Sequence, residues 1–370
     1  MAATEMTDPG ATRAAPIDPL DRIRLLLDTW RARHPRLARV LAVSRLVAAG
    51  LSLLAFVVAL FGAPELGWML WSALVVLVPL LVLLLLTPTR TIAPRAVLRI
   101  VGVGAAWAPL VALISGLVVQ LAGLSAWQDG ASVGIAGLAE ESLKLAPFAV
   151  FALLAPSRVR RMGAVDLLVI GWSLGAGFTL FEEGVRSLLY ATGRGPGLIW
   201  AIVAGETAPV LTLNPLALNA ITGSGTGHAV WSAMTMGALA VAIAVGRALP
   251  QLRRIALLLP LLALLFAATD HAFSNSGESW STLVLGGAEH WWTIGPGLAW
   301  ALLGEGRVLI LALVLFWLWA LGSDARRRHA SPAPAESAAT RATLARLVDA
   351  RGTGIRILGG YLALVLQARD

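Results

Sequence analysis

The apolar run from Val133 to Leu154 is long enough to cross a bilayer, yet it holds Glu140, Glu141 and Lys144 in its middle. An ionised group at bilayer depth costs about 2.5 to 3.5 kcal/mol on insertion scales, so three within a turn and a half must face protein and not lipid. This segment therefore needs neighbours. If it is helical, Lys144, the only lysine of the chain, lies four residues after Glu140 and three after Glu141, within pairing reach of both. Such a cluster is either a self-neutralising structural element of a helix bundle or a catalytic or transport site.

The neighbours are present in the sequence. Apolar runs also occur at Leu46 to Gly62, Leu66 to Leu86, Ile100 to Leu121, Leu167 to Tyr190, His228 to Val245, Ile255 to Phe273 and about Leu298 to Leu321. With Val133 to Leu154 they predict an all-α polytopic membrane bundle of about eight transmembrane helices. The composition agrees, with 58% hydrophobic and 14% charged residues and a mean hydropathy of +0.78. The net charge of +8 comes from arginine blocks between the apolar runs, a topology signal and not a nucleic-acid footprint. Arg90, Arg95 and Arg99, then Arg158, Arg160 and Arg161, then Arg247, Arg253 and Arg254, then Arg326 to Arg328 fall on one side with the N-terminal arginines. The positive-inside rule makes that side, and both termini, cytoplasmic. Near-exclusive use of arginine over lysine suggests a GC-rich bacterial genome and hence the bacterial plasma membrane. The chain has no cysteine, which excludes disulfides, thiolate metal sites and a cysteine nucleophile.

This gives five regions. Residues 1–37 form a cytoplasmic tail in which Asp18 and Pro19 open an amphipathic surface helix ending near His34 and Pro35, with Arg22, Arg24, Arg31 and Arg33 toward the headgroups. Residues 38–130 hold the first three spans, 131–275 a four-helix core, 276–322 an outer loop with the last span, and 323–370 a cytoplasmic tail. Two outer connections are long, Ala191 to Thr226 and Ser276 to Pro296, the second ending in the headgroup-belt residues Glu289 to Trp292. His290 there is assigned no role.

Four spans of the core carry polar groups at a common depth. In the fifth, Gly171, Gly175, Phe178, Glu182 and Arg186 share a helical face, and the small-xxx-small pair Gly171 and Gly175 invites close approach of another backbone. Glu182 therefore packs against protein, or pairs with Arg186; Glu183 points elsewhere. His228 opens the sixth span, and His271 and Asn275 share a face near the end of the seventh, with Asp270 about 100° away around the helix. Antiparallel threading brings Glu140, Glu141, Lys144, Glu182, His228, His271 and Asn275 into the outer half of one bundle.

The order of these motifs resembles a known family. An EExxK motif, then GAGFTLFE, a His opening the next span and a second His near the end of the one after it are similar to the PrsW-family intramembrane proteases, within the superfamily of CAAX prenyl endopeptidases and bacteriocin-processing enzymes. The resemblance covers about Val133 to Asn275, and the His271 and Asn275 pair resembles the HxxxN motif of the CAAX branch. Glu183 stands where the family commonly has Asn. Members are implicated in cutting membrane-anchored anti-sigma factors outside the membrane; the resemblance implies a membrane-anchored protein substrate, an anti-sigma factor being one candidate.

The chemistry can be argued on these residues. Peptide hydrolysis needs a base for water, a stabiliser for the oxyanion and an acid for the leaving amine. Glu140 or Glu141 is assigned water activation with His228 assisting, and His271 and Asn275 are assigned oxyanion stabilisation. Lys144 orients the carboxylates, Glu182 polarises, and Phe178 supports. This reading needs no cofactor. A zinc protease using His228, His271 and a glutamate is the alternative, weakened by the absence of HExxH and by histidines on different helices. A proton-coupled transporter or a non-catalytic membrane receptor are the others; the apolar inner halves of these spans argue against a transport path.

Overall fold

The computed structural model describes residues 18–62, 77–124, 130–190, 227–276 and 307–330. Every regular element among them is helical: α1 (Pro19–Arg33), α2 (Pro35–Gly62), α3 (77–85), α4 (Pro94–Leu121), α5 (Gly130–Lys144), α6 (Ala146–Leu154), α7 (Pro156–Arg161), α8 (Ala164–Tyr190), α9 (His228–Ala248), α10 (Arg253–Ala256), α11 (Leu258–Ser276) and α12 (Arg307–Ala330). A 3-10 turn, Pro250–Leu252, precedes α10. Among the described residues, five stretches are long and apolar enough to cross a membrane: Pro94–Leu121, Ala164–Glu182, His228–Ala248, Pro250–Ala272 and Val308–Arg327. The first predicted span, Leu46 to Gly62, lies within α2, while the second and last predicted spans, the tail beyond residue 330 and both long outer connections lie partly or wholly outside the described residues.

The fourth predicted span differs from expectation. It is not one helix from Val133 to Leu154 but two, α5 and α6, separated by a turn at Leu145. Pro147 is the cause: it has no N–H to offer the carbonyl four residues back, and its ring crowds that carbonyl. The orphaned group is Leu143 O, and Trp107 of α4 satisfies it with an indole N–H at 2.9 Å. The break falls just after the charged cluster.

The chain divides into two compact units. In the smaller, residues 1–54 and 149–161, Asp18 does not cap its own helix with its side chain. It accepts instead from Ser157 N at 3.3 Å and from Ser157 Oγ at the start of α7, and Asp21 pairs with Arg158. The Ser157 hydrogen bond holds the Asp18 carboxyl below the usual aspartate value. No residue of α1 is buried.

In the larger unit the contacts among α4, α8, α9, α11 and α5 run in a closed cycle, α5 returning to α4, while α12 packs on α9 and α8. The helices differ in what they show outward. Most of the described side chains of α8 and α9 are buried, whereas α4 turns Leu98, Leu110, Leu113 and Leu117 outward and α11 does so with Leu258, Leu261, Leu262 and Leu265. That is the pattern of a bundle in lipid, where apolar side chains need no burial in protein. The start of α8 is fixed by two carboxylates. Asp324 of α12 accepts from Ala164 N and Val165 N at 3.0 Å, satisfying orphan donors of the first turn. Asp166 accepts from Gly163 N at 2.8 Å, from Thr91 N and Thr91 Oγ1 at 2.6 Å, and from Ile92 N at 3.2 Å, tying the entry to α4 onto α8.

The paired glycines of α8 act as the sequence predicts. A Cβ at Gly171 would lie 2.5 Å from Ser232 O, and one at Gly175 would lie 2.2 Å from His228 O and 2.6 Å from Ala229 Cα. These obstacles are backbone and cannot rotate away. Gly175→Ala is therefore expected to lower stability by about 1–3 kcal/mol, the usual cost of overpacking, and to displace His228. Thermal melting in detergent checks this; an unchanged midpoint would mean that the two helices separate at little cost.

Candidate active site

Four helices of the cycle deliver polar side chains to one buried cluster. From α5 come Glu140, Glu141 and Lys144, exposed by 7%, 2% and 2%; from α9 His228 at 6%; from α11 Asp270 and His271 at 0% and 1%. Phe178 and the half-buried Glu182 come from α8. The helical spacing that puts Lys144 three residues after Glu141 lets its ammonium donate to Glu141 Oε1, and it also touches His228 Nδ1. It stands 4.1 Å from the centre of the Phe178 ring, a cation–π contact. Phe178 in turn meets the His228 ring edge-on at 4.8 Å.

The two imidazoles are oriented alike. His228 turns Nδ1 toward Glu141 Oε1 at 3.4 Å and Nε2 toward Glu182 Oε2 at 2.5 Å. His271 turns Nδ1 toward the same Glu141 oxygen at 2.8 Å and Nε2 toward Glu140 Oε2 at 3.6 Å. The short His271 contact has ion-pair distance without hydrogen-bond alignment. Each ring thus shows one nitrogen to a shared carboxylate and the other to a carboxylate of its own. For His228 that is how a metal-ligating histidine is held, with an outer carboxylate fixing ring and tautomer, while Glu140 stands just beyond hydrogen-bond reach of His271. Ligand atoms of Glu141, His228 and His271 lie within 4.8 Å of one another, and all three residues are buried. One carboxylate oxygen and two imidazole nitrogens suit zinc or a similar divalent ion, so the residues fit a metal, provided Lys144 yields its contacts with two of the three.

Of the predicted site residues, Glu140, Glu141, Lys144, Phe178, Glu182, His228 and His271 come together. The backbone of Asn275 lies in α11 one turn beyond His271, and its side chain lies outside the described residues, as do those of Glu183, Arg186 and His290. The argument that histidines on different helices disfavour a shared metal does not hold here, because α9 packs on α11 and brings the rings to 4.8 Å between centres. Two residues went unpredicted. Trp231, one turn into α9, stacks on His271 at 4.6 Å and 22° and meets His228 edge-on at 4.9 Å; Asp270 accepts its indole N–H at 2.6 Å. The available signal was the i, i+3 spacing of Trp231 from His228, which puts both on one face.

Carboxylates, an ammonium and two histidines gathered at one buried point of a helical membrane protein are the kinds of group that hydrolysis inside a bilayer requires. The model of the PrsW family, described as intramembrane metalloproteases, matches residues 93–319, well over half of the chain and every described site residue, so the chain belongs to that family. Comparison with curated proteins and with solved structures returned no match.

Proposed function

We propose that this PrsW-family peptidase cuts a membrane-anchored protein near the extracytoplasmic face, with Glu140 as the base that activates water. The carrying observation is the matched orientation of the two imidazoles around Glu141, each facing a second carboxylate. Glu141 is enclosed with Lys144 and both rings, whereas the Glu140 side chain keeps more exposure, 9% against 1%. The residue free to exchange protons with an incoming water is therefore Glu140. It takes a proton from water as the water oxygen bonds to the scissile carbonyl carbon, and gives it to the amine nitrogen as the C–N bond breaks. Glu182 holds His228, and Phe178 shields the Lys144 ammonium from the side of α8. In the metal-free form of the reaction His271 and Asn275 are the proposed donors to the oxyanion. A divalent ion held by Glu141, His228 and His271 would supply Lewis acidity to the water and to the carbonyl oxygen.

One observation favours a metal-free variant of the same reaction: the Lys144 ammonium already balances Glu141 and touches His228. Family membership favours the peptidase over the transporter and receptor readings.

The side of cleavage follows from topology. The arginine blocks assign the start of α9 and the end of α11 to the outer face, where His228 and His271 lie. A peptide from the cytoplasm would instead cross apolar stretches such as 255–266, stranding backbone polar groups at a cost of several kcal/mol each. The proposed partner is thus a single-span or tethered membrane protein; the resemblance to the family, not the topology, suggests an anti-sigma factor of the bacterial plasma membrane as one candidate. Proteins whose processing disappears in a Glu140→Gln strain identify it, and mapping their new termini is expected to find cuts in the extracytoplasmic juxtamembrane segment. A cut on the cytoplasmic side would overturn this assignment.

A further inference from the structure

Asp270 is a fully buried carboxylate of a membrane-spanning segment, and neither the donor triad nor the proposed proton transfer uses it. A carboxylate in such a place needs a reason. Its Oδ2 accepts the Trp231 indole N–H at 2.6 Å, and Trp231 is itself 2% exposed. An indole has one donor and no acceptor, so this bond fixes which way the ring turns about its own axis. The ring so fixed lies flat on His271 and edge-on to His228, with the Lys144 ammonium 5.7 Å from its centre. Asp270 adjoins His271 in α11, so a single helix supplies both the anchor of the indole and the imidazole that the indole covers.

We infer that Asp270 and Trp231 form a positioning pair that sets the planes of both histidines, so that each directs Nδ1 at Glu141. Asp270 acts through Trp231, and Trp231 acts through ring contact; neither touches the reacting atoms. The packing consequence stands on geometry alone, and only its catalytic meaning rests on the peptidase reading. It is a use for a carboxylate that helical angle alone placed away from the site.

The test needs no substrate. Full-length protein in detergent micelles, labelled with 15N at tryptophan and 13C at histidine, gives an indole N–H signal assigned by its loss in Trp231→Phe and ring signals assigned by their loss in His271→Gln. In the wild type the indole proton is expected far downfield and slow to exchange, and the His271 ring protons are expected upfield of ordinary histidine because the indole shields them. Asp270→Leu is expected to speed indole exchange by at least about tenfold and to return the His271 signals downfield, while Asp270→Asn, which keeps an acceptor, preserves both. A purely structural role would lower the melting temperature without moving the His271 ring. Unchanged His271 signals in Asp270→Leu would overturn the inference. If that variant does not fold, Trp231→Phe decides, since it keeps an aromatic ring but loses the N–H: an unmoved His271 there overturns it as well. These outcomes are independent of whether the protein cleaves anything.

Discussion

Glu140→Gln is expected to lower substrate processing by a factor of about 10² to 10⁴, the usual contribution of a general base, with no loss of thermal stability. Its carboxylate reaches His271 only at 3.6 Å and keeps the larger exposure of the pair, so the amide can replace it without leaving a buried ion unmatched. Glu141→Gln should behave differently. Glu141 is the common partner of Lys144, His228 and His271, and removing its charge strands a buried ammonium, for which about 3–5 kcal/mol is typical. Activity and melting temperature should both fall. Processing is read as the appearance of new N-termini on membrane proteins, and stability by melting in detergent. Full processing in Glu140→Gln would remove it as the base, and equal melting losses in the two variants would make the pair structural.

The second large effect concerns Lys144. Its ammonium touches two of the three donors that would hold a divalent ion, so metal and lysine compete for Glu141 and His228. In Lys144→Gln the competitor is gone and zinc affinity should rise by at least about tenfold, or about 1.4 kcal/mol. The same variant without metal leaves Glu141 uncompensated and should melt lower, with zinc restoring the difference by binding only the folded state. Titration calorimetry and melting with and without zinc read both effects. A wild type that binds one equivalent and loses processing on chelation supports the metal reading; Lys144→Gln that binds no zinc, with wild-type processing that survives chelation, supports the metal-free variant.

Much of this site is legible in the sequence because membrane insertion makes each embedded charge conspicuous. Glu140, Glu141, Lys144 and Glu182 stand out against apolar surroundings, and Gly171 and Gly175 announce a close crossing that α9 supplies. The ordering of two histidines on later spans adds the remaining ligand atoms. What stayed hidden depends on pairs of helices and not on spacing within one. Asp270 was set aside because its angle on α11 differs from that of His271, but α9 is broad enough at Trp231 to meet both. The break at Leu145 was hidden for another reason: Leu145 to Leu154 carries no charged residue and no periodicity in which an interruption would show. Pro147 breaks the helix, and the Trp107 indole that makes the break tolerable comes from a helix with no motif of its own.

That break also decides where an electric pole falls. A helix carries roughly half a negative charge at its C-terminal end, and α5 ends at Lys144. Had it run on to Leu154, the pole would lie about 15 Å further along at 1.5 Å per residue. Because α6 opens at Ala146 with its own positive end, the pole at Lys144 is largely offset, and the negative field at the chain's only lysine is set by Glu140, Glu141 and Glu182. The pocket is therefore built to hold a positive charge before any substrate arrives, whether that charge is carried by the ammonium or by an ion that replaces it.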